Sequence, residues 1–151
     1  MRTAIVDKLM AVTSMFQRDM TRAFAGTPLT ESRAAVLWTL TLSGPSTQQI
    51  LAEALSVTAR NISGLVDALE QHGYVQRVPH SSDRRAVLVK LTPNGETAMA
   101  RMQEEHARLE AELRGVVAPE HLDALEQGID AIIAHLATST SSEQTEAEGD
   151  R

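Results

Sequence analysis

No cysteine occurs in the 151 residues. That excludes a disulfide framework, a thiolate zinc site and any thiol-based redox switch. Aromatic residues are scarce, with one Trp, one Tyr and two Phe, so aliphatic side chains and Met must build the core. No apolar run approaches the roughly 20 residues that span a bilayer. The N-terminal stretch, residues 1–16, carries Arg2, Asp7 and Lys8 inside its apolar pattern. It reads as an amphipathic helix and not as a signal peptide, so the expected location is the cytoplasm, with no membrane partner. A glycine-rich phosphate loop, a nucleophile elbow and paired metal ligands are all missing, which leaves no basis for an enzyme. The five histidines, at positions 72, 80, 106, 121 and 135, are scattered. His106 and Glu110 stand one helical turn apart, but two ligands do not make a site. No cofactor and no metal are expected.

What is present is enough for one domain. Hydrophobic residues make up 42% of the chain, and the length suits a modest core. The net charge of −6 conceals an asymmetry. Residues 1–95 hold 10 Lys+Arg against 7 Asp+Glu, a net +3, while residues 96–151 hold 4 against 13, a net −9. Screening over about 8–10 Å makes local charge the relevant quantity, so the first half can meet a polyanion if the second faces away.

Ile5, Leu9, Val12, Phe16 and Met20 recur at helical spacing, and Gly26-Thr27-Pro28 ends that stripe. Thr30 is placed to cap a second helix that buries Val36, Leu37 and Leu40 and stops at Gly44-Pro45. Ser46, with Gln49 three residues on, predicts the start of a short third helix with Ile50, Leu51 and Leu55 turned inward. A tight turn, Leu55-Ser56-Val57, follows. Thr58 is a good cap for a fourth helix with Ile62, Leu65, Val66 and Leu69 inward and Gly73 as its left-handed terminator. Two strand-like runs, 74–78 and 86–91, flank the loop Pro79 to Arg85. Thr92-Pro93 opens a fifth helix striped by Met99, Met102, Leu109 and Leu113. Pro119 opens a sixth, with Leu122, Leu125, Ile129, Ile132, Ile133 and Leu136 on one side. From Thr138 the composition predicts a disordered acidic tail.

The expected fold class is therefore mainly α with a small β-hairpin: a winged helix-turn-helix DNA-binding lobe, residues 30–92, plus a helical dimerisation region. The latter combines an N-terminal helix, 1–29, with C-terminal helices, 93–137, ahead of the tail, 138–151. The terminal helices are more apolar than the small lobe can cover, which points to packing against a second copy, and a two-fold protein gains affinity from two half-sites.

Double-stranded DNA is the expected partner. The apolar stripe of the fourth helix leaves Ala59, Arg60, Asn61, Ser63, Gly64 and Asp67 outward. Arg pairs with guanine and Asn with adenine in the major groove. The Thr58 and Ser63 hydroxyls suit phosphate, as do Thr47 and Gln48 at the start of the preceding helix. Arg77, Arg84, Arg85 and Lys90 make the hairpin basic. Asp83 can hold one guanidinium while another reaches into a minor groove. The competing readings are an architectural DNA-binding protein of low sequence specificity and a winged helix used for protein contacts.

These residues carry a resemblance. Residues 50–77, ILAEALSVTARNISGLVDALEQHGYVQR, followed by Asp83-Arg84-Arg85-Ala86 and by VKLTPNG at 89–95, resemble the MarR family of bacterial transcriptional regulators. The resemblance implies an obligate homodimer whose terminal helices interlock and whose two lobes read a pseudopalindrome. It places Thr58 to Gly64 on the recognition helix and Asp83 and Arg85 on the wing motif, and puts Ser56 where the family often has Gly. Members usually repress, and many release DNA on binding a small apolar or phenolic effector between the dimer helices and the DNA-binding lobe. By that analogy Phe16, Met20 and Trp38 border the effector cleft. The family's peroxide sensors use cysteine, which this chain lacks.

Overall fold

A computed structural model of the chain describes residues 4–83 and 85–148, with side chains placed up to residue 138. The element order is α1 (Ile5–Phe24), α2 (Glu31–Ser43), α3 (Gln48–Leu55), α4 (Ala59–Gln71), β1 (Val75–Pro79), β2 (Val87–Leu91), α5 (Pro93–Val116) and α6 (Pro119–Glu148). The chain divides into two compact units, Met1–Met102 and Gln103–Arg151.

The core of the first unit lies where α2, α3 and α4 meet the hairpin. Val36, Leu37 and Leu40 come from α2, Leu51 and Ala52 from α3, and Ile62, Val66 and Leu69 from α4. Val75 and Val89 close it from the two strands, and Met99 from the first turns of α5. Each fully buried Val, Leu or Ile contributes about 1.5–3 kcal/mol relative to exposure. Aliphatic side chains thus build the interior, as the scarcity of aromatics requires.

Polar groups fix the ends. Thr30, Thr47 and Thr58 each accept a hydrogen bond from the backbone N–H three residues on, capping α2, α3 and α4. The third helix therefore begins one residue later than its sequence suggests. Ser46 is buried and pairs with β2 instead: its N–H donates to the Val89 carbonyl at 3.0 Å and its carbonyl accepts from the Val89 N–H at 2.8 Å. That bridge extends the antiparallel hairpin, in which Val75 faces Leu91 and Pro79 faces Val87. The shift also reassigns Ile50. The apolar pattern places it inward beside Leu51, yet it is 49% exposed, and Ala52 takes the buried position. Ser56, between α3 and α4, is left-handed at φ 53°, a conformation that costs a non-glycine residue about 1–2 kcal/mol.

The hairpin is latched to α5 by Thr92. Its N–H donates to the Tyr74 carbonyl at 3.0 Å. Its hydroxyl donates to the Gly73 carbonyl at 2.5 Å and accepts from the Gly95 N–H at 3.1 Å. This latch leaves no room at Gly95, where a Cβ would sit 2.1 Å from the Tyr74 carbonyl oxygen.

The first unit also contains α1, none of whose residues is buried. Ile5, Val6, Met10 and Met15 are each more than half exposed. In the second unit, Arg114 near the end of α5 holds Glu110 at 3.2 Å and Glu126 of α6 at 2.7 Å. Val116, Leu125, Ile129, Ile133 and Leu136 are exposed there. The helix α6 continues to Glu148, past Thr138, where composition predicts disorder. Once nucleated, a helix gains one hydrogen bond for each residue it orders, which favours continuation. The tail's last residues, 149–151, lie outside the described residues. No helix among the described residues is long and apolar enough to cross a membrane.

Gly95→Ala is expected to destabilise the fold by about 1–3 kcal/mol, because the clash is with main chain and cannot be relieved by a rotamer change. Gly115→Ala, with nothing within 4 Å of its Cβ position, is expected to stabilise by up to about 1 kcal/mol through helix propensity. Urea denaturation of the two variants checks both signs.

Candidate nucleic-acid interface

The buried face of α4 determines its outer face. With Ile62, Val66 and Leu69 inside, Thr58, Ala59, Arg60, Asn61, Gly64 and Asp67 are exposed and Ser63 is half-buried. The Thr58 hydroxyl accepts from the Asn61 N–H at 3.1 Å, and the Thr47 hydroxyl accepts from the Ile50 N–H at 3.3 Å. A hydroxyl that accepts in this way retains its own proton to donate, so each cap can also donate to a phosphate oxygen. The first turn of α4 adds its N–H groups and the positive end of the helix dipole. A Cβ at Gly64 would meet no protein atom within 4 Å, so packing within the chain does not require glycine there.

The wing loop is organised by side chains that accept from its main chain. The Asp83 carboxylate accepts from the Arg85 N–H at 2.9 Å. That bond fixes the main chain at the tip of the loop. The His80 ring Nδ1 accepts from the Ser82 N–H at 3.1 Å and the Asp83 N–H at 3.3 Å. Two main-chain bonds, His80 N–H to the Ala86 carbonyl at 3.0 Å and Ala86 N–H to the Asp83 carbonyl at 3.1 Å, close the turn. Arg85 is exposed at its tip, and Arg84 lies outside the described residues. Sequence reasoning misses His80 as part of this loop, since no spacing rule marks a ring nitrogen that serves as a turn acceptor.

Arg77 is half-buried, and its donors are taken within the chain. Nη2 contacts Asp67 Oδ1 at 2.6 Å, and Nη1 contacts Glu70 Oε2 at 2.5 Å. Nε and Nη2 both donate to Gln48 Oε1, at 3.2 and 2.9 Å. Glu70 Oε1 accepts from the Arg77 N–H at 3.0 Å. This backbone bond, then the guanidinium, hold Glu70 below the usual carboxylate value of 4.5. Burial works against the charge on Arg77, and the bonds to Asp67 and Glu70 outweigh it, so its affinity for the proton is raised. Glu70 is a second residue the sequence did not single out.

Two open clefts border the first unit's helices. One, of about 480 Å³, runs between α3 and α4 past Gln48, Gln49, Glu53, Ser56, Val57 and Ala59. The other, of about 440 Å³, lies between the end of α1 and the start of α2 and is lined by Gln17, Met20, Thr21, Phe24, Leu29 and Glu31 among others. Of Phe16, Met20 and Trp38, Met20 lines this second cleft. Phe16 stands elsewhere on α1, 37% exposed, and Trp38 packs against the core. Among the described residues no group of three or more His, Cys, Asp or Glu side chains could hold a metal.

A capped helix-turn-helix followed by a short antiparallel hairpin with an arginine at its tip defines a winged helix-turn-helix protein. The MarR family model matches residues 29–87. The HTH-type transcriptional regulator PecS of Dickeya dadantii (strain 3937) is 30% identical over 128 residues, covering 80% of this chain and 76% of PecS. YfiV of Bacillus subtilis (strain 168), an uncharacterized HTH-type transcriptional regulator, is 34% identical over 80 residues. That match spans 52% of this chain and about half of YfiV, 49%. In structure, Streptococcus pneumoniae FabT in complex with DNA superposes with a TM-score of 0.82 at 17% identity, covering 89% of this chain and 96% of FabT. The chain belongs to the MarR family.

A carboxylate held low in the folded state stabilises it fully above the ordinary range and ceases to do so as pH falls through the lowered value. Wild type is therefore expected to exceed Glu70→Gln in stability at neutral pH, with the gap closing as pH drops below about 4.5. Denaturation midpoints between pH 7 and 3 check this, and a gap that stays constant contradicts it.

Proposed function

We propose that this protein is a DNA-binding transcriptional regulator, a homodimeric repressor of a pseudopalindromic operator that a small-molecule effector releases. It is a binding protein and not an enzyme. The observation that carries the reading is the pair Arg60 and Asn61, exposed on the first turn of a helix whose opposite face is buried. Side chains there reach base edges when such a helix enters a major groove. Thr47, Thr58 and Ser63 flank them with hydroxyls for phosphate, and Arg84 and Arg85 follow the backbone from the wing toward the minor groove. Gly64 permits close approach of the sugar-phosphate chain.

The dimer is supported by the exposed apolar faces of α1 and α6, which a second copy of the chain would cover. An apolar or phenolic effector would enter beside Met20. It would release DNA by favouring a dimer geometry with the wrong half-site spacing, to the extent that it binds the two geometries differently.

Selection from a random DNA pool, with unrelated competitor present, tests the reading. The expected product is a motif of two half-sites one helical turn apart, about 10 bp. Specific binding should exceed non-specific by at least about 10³. Recovery of no motif would move the protein to an architectural class. Arg60→Ala is expected to cost about 1–3 kcal/mol at the operator and to relax base preference at one position of each half-site. Repeating the selection with that variant checks it, and an unchanged motif removes Arg60 from base readout. Arg85→Ala is expected to weaken binding to all sequences. Its plot of log affinity against log salt should be shallower by about 0.9 for each phosphate that the variant no longer neutralises.

A further inference from the structure

We propose that Arg77 is the positioning residue of the DNA-reading helix, the side chain that sets the angle of α4 against α3, and is not itself a DNA contact. The assignment builds on the regulator reading above. One planar guanidinium joins three elements. From β1 it reaches Gln48, the first residue of α3, through two donors on one oxygen. It also reaches Asp67 and Glu70, one turn apart on α4. Its own N–H returns to Glu70, so the strand is tied to the helix by main chain as well as side chain.

The physical need follows from the packing. The residues that α3 and α4 bury in the core are Leu51, Ala52, Ile62, Val66 and Leu69, all aliphatic or small. Apolar burial is non-directional. It holds the helices together while tolerating rotation of one over the other. A guanidinium presents its donors in a fixed plane, and acceptors on both helices converge on that plane. The arrangement therefore specifies orientation, which determines where Arg60 and Asn61 point. It has an electrostatic consequence too. Asp67 lies on the exposed face of α4 with its side chain 63% accessible, where an uncompensated carboxylate would repel phosphate. Arg77, shared with Glu70, offsets it in part.

A contact residue and a positioning residue leave different traces. A phosphate contact contributes to the salt slope, and Lys can replace Arg there as a point charge. A positioning fork contributes nothing to the slope, and Lys cannot replace it. Asp67 separates the readings by sign. If only charge matters, Asp67→Asn tightens DNA binding. If the fork positions α4, it weakens specific binding.

The experiment compares wild type, Arg77→Lys and Asp67→Asn by titration with the selected operator and with random duplex across a range of salt, normalised to the active fraction of each preparation. For both variants the specific-to-random affinity ratio is expected to fall roughly ten- to a hundredfold, the size of one displaced base contact. The salt slope of Arg77→Lys on random duplex is expected to match wild type. A preserved ratio for Arg77→Lys, or tighter operator binding by Asp67→Asn, would overturn the assignment.

Amide hydrogen exchange of the free proteins supplies a readout without DNA. Faster exchange in α4 and the first turn of α3, with α2 unchanged, is expected for both variants. Exchange unchanged in α3 and α4 overturns the assignment whatever DNA does. If wild type selects no motif, the regulator reading fails on its own, and hydrogen exchange together with the slope on random duplex still decides the role of Arg77.

Discussion

Everything in the winged helix-turn-helix lobe depends on which face of α4 is buried. Ile62, Val66 and Leu69 fall on one side at helical spacing and enter a core shared with α2, α3 and both strands. That burial holds α4 in place and, by leaving only the opposite side, gives Arg60 and Asn61 to solvent. The hairpin depends on the same core, since Val75 and Val89 close it, and so the wing's position follows from α4's.

On that non-directional burial the chain superimposes directional bonds where orientation matters. Three threonines cap three successive helices at the same offset. Ser46 sews the segment before α3 onto β2, and Thr92 pins the far end of the hairpin to the start of α5. Arg77 gathers Gln48, Asp67 and Glu70. Each of these polar groups ties elements that apolar packing alone would leave free to slide or twist. The proposed reading of base edges would need that constraint, because bidentate base recognition tolerates little misplacement.

Charge follows the same division of labour. The chain as a whole is acidic, yet its negative balance lies beyond residue 95. The wing keeps Arg85 exposed while the Asp83 carboxylate is engaged by the main chain. On α4, the acidic Asp67 and Glu70 share the half-buried Arg77, which offsets one of their two charges. Local arrangement, on the scale of a Debye length, makes an acidic protein compatible with a polyanionic partner.

Sequence by itself determined the number and order of elements, because periodicities of 3.6 and 2 and the Thr, Gly and Pro signals between them act over a few residues. It also determined the outward set on α4, since an amphipathic stripe specifies both faces at once. It settled the absence of thiol chemistry as well. Tertiary structure decided what depended on partners distant in the chain. Local pattern favours Ser46 as the cap, and only the bridge to Val89, 43 residues away, made Ser46 a strand partner and Thr47 the cap. The one-residue shift then turned Ile50 outward. Arg77 reads in sequence as one more basic residue beside the wing. Its bond to Gln48, 29 residues earlier, turns it inward, because acceptors brought together by folding hold a guanidinium that local sequence would leave to solvent.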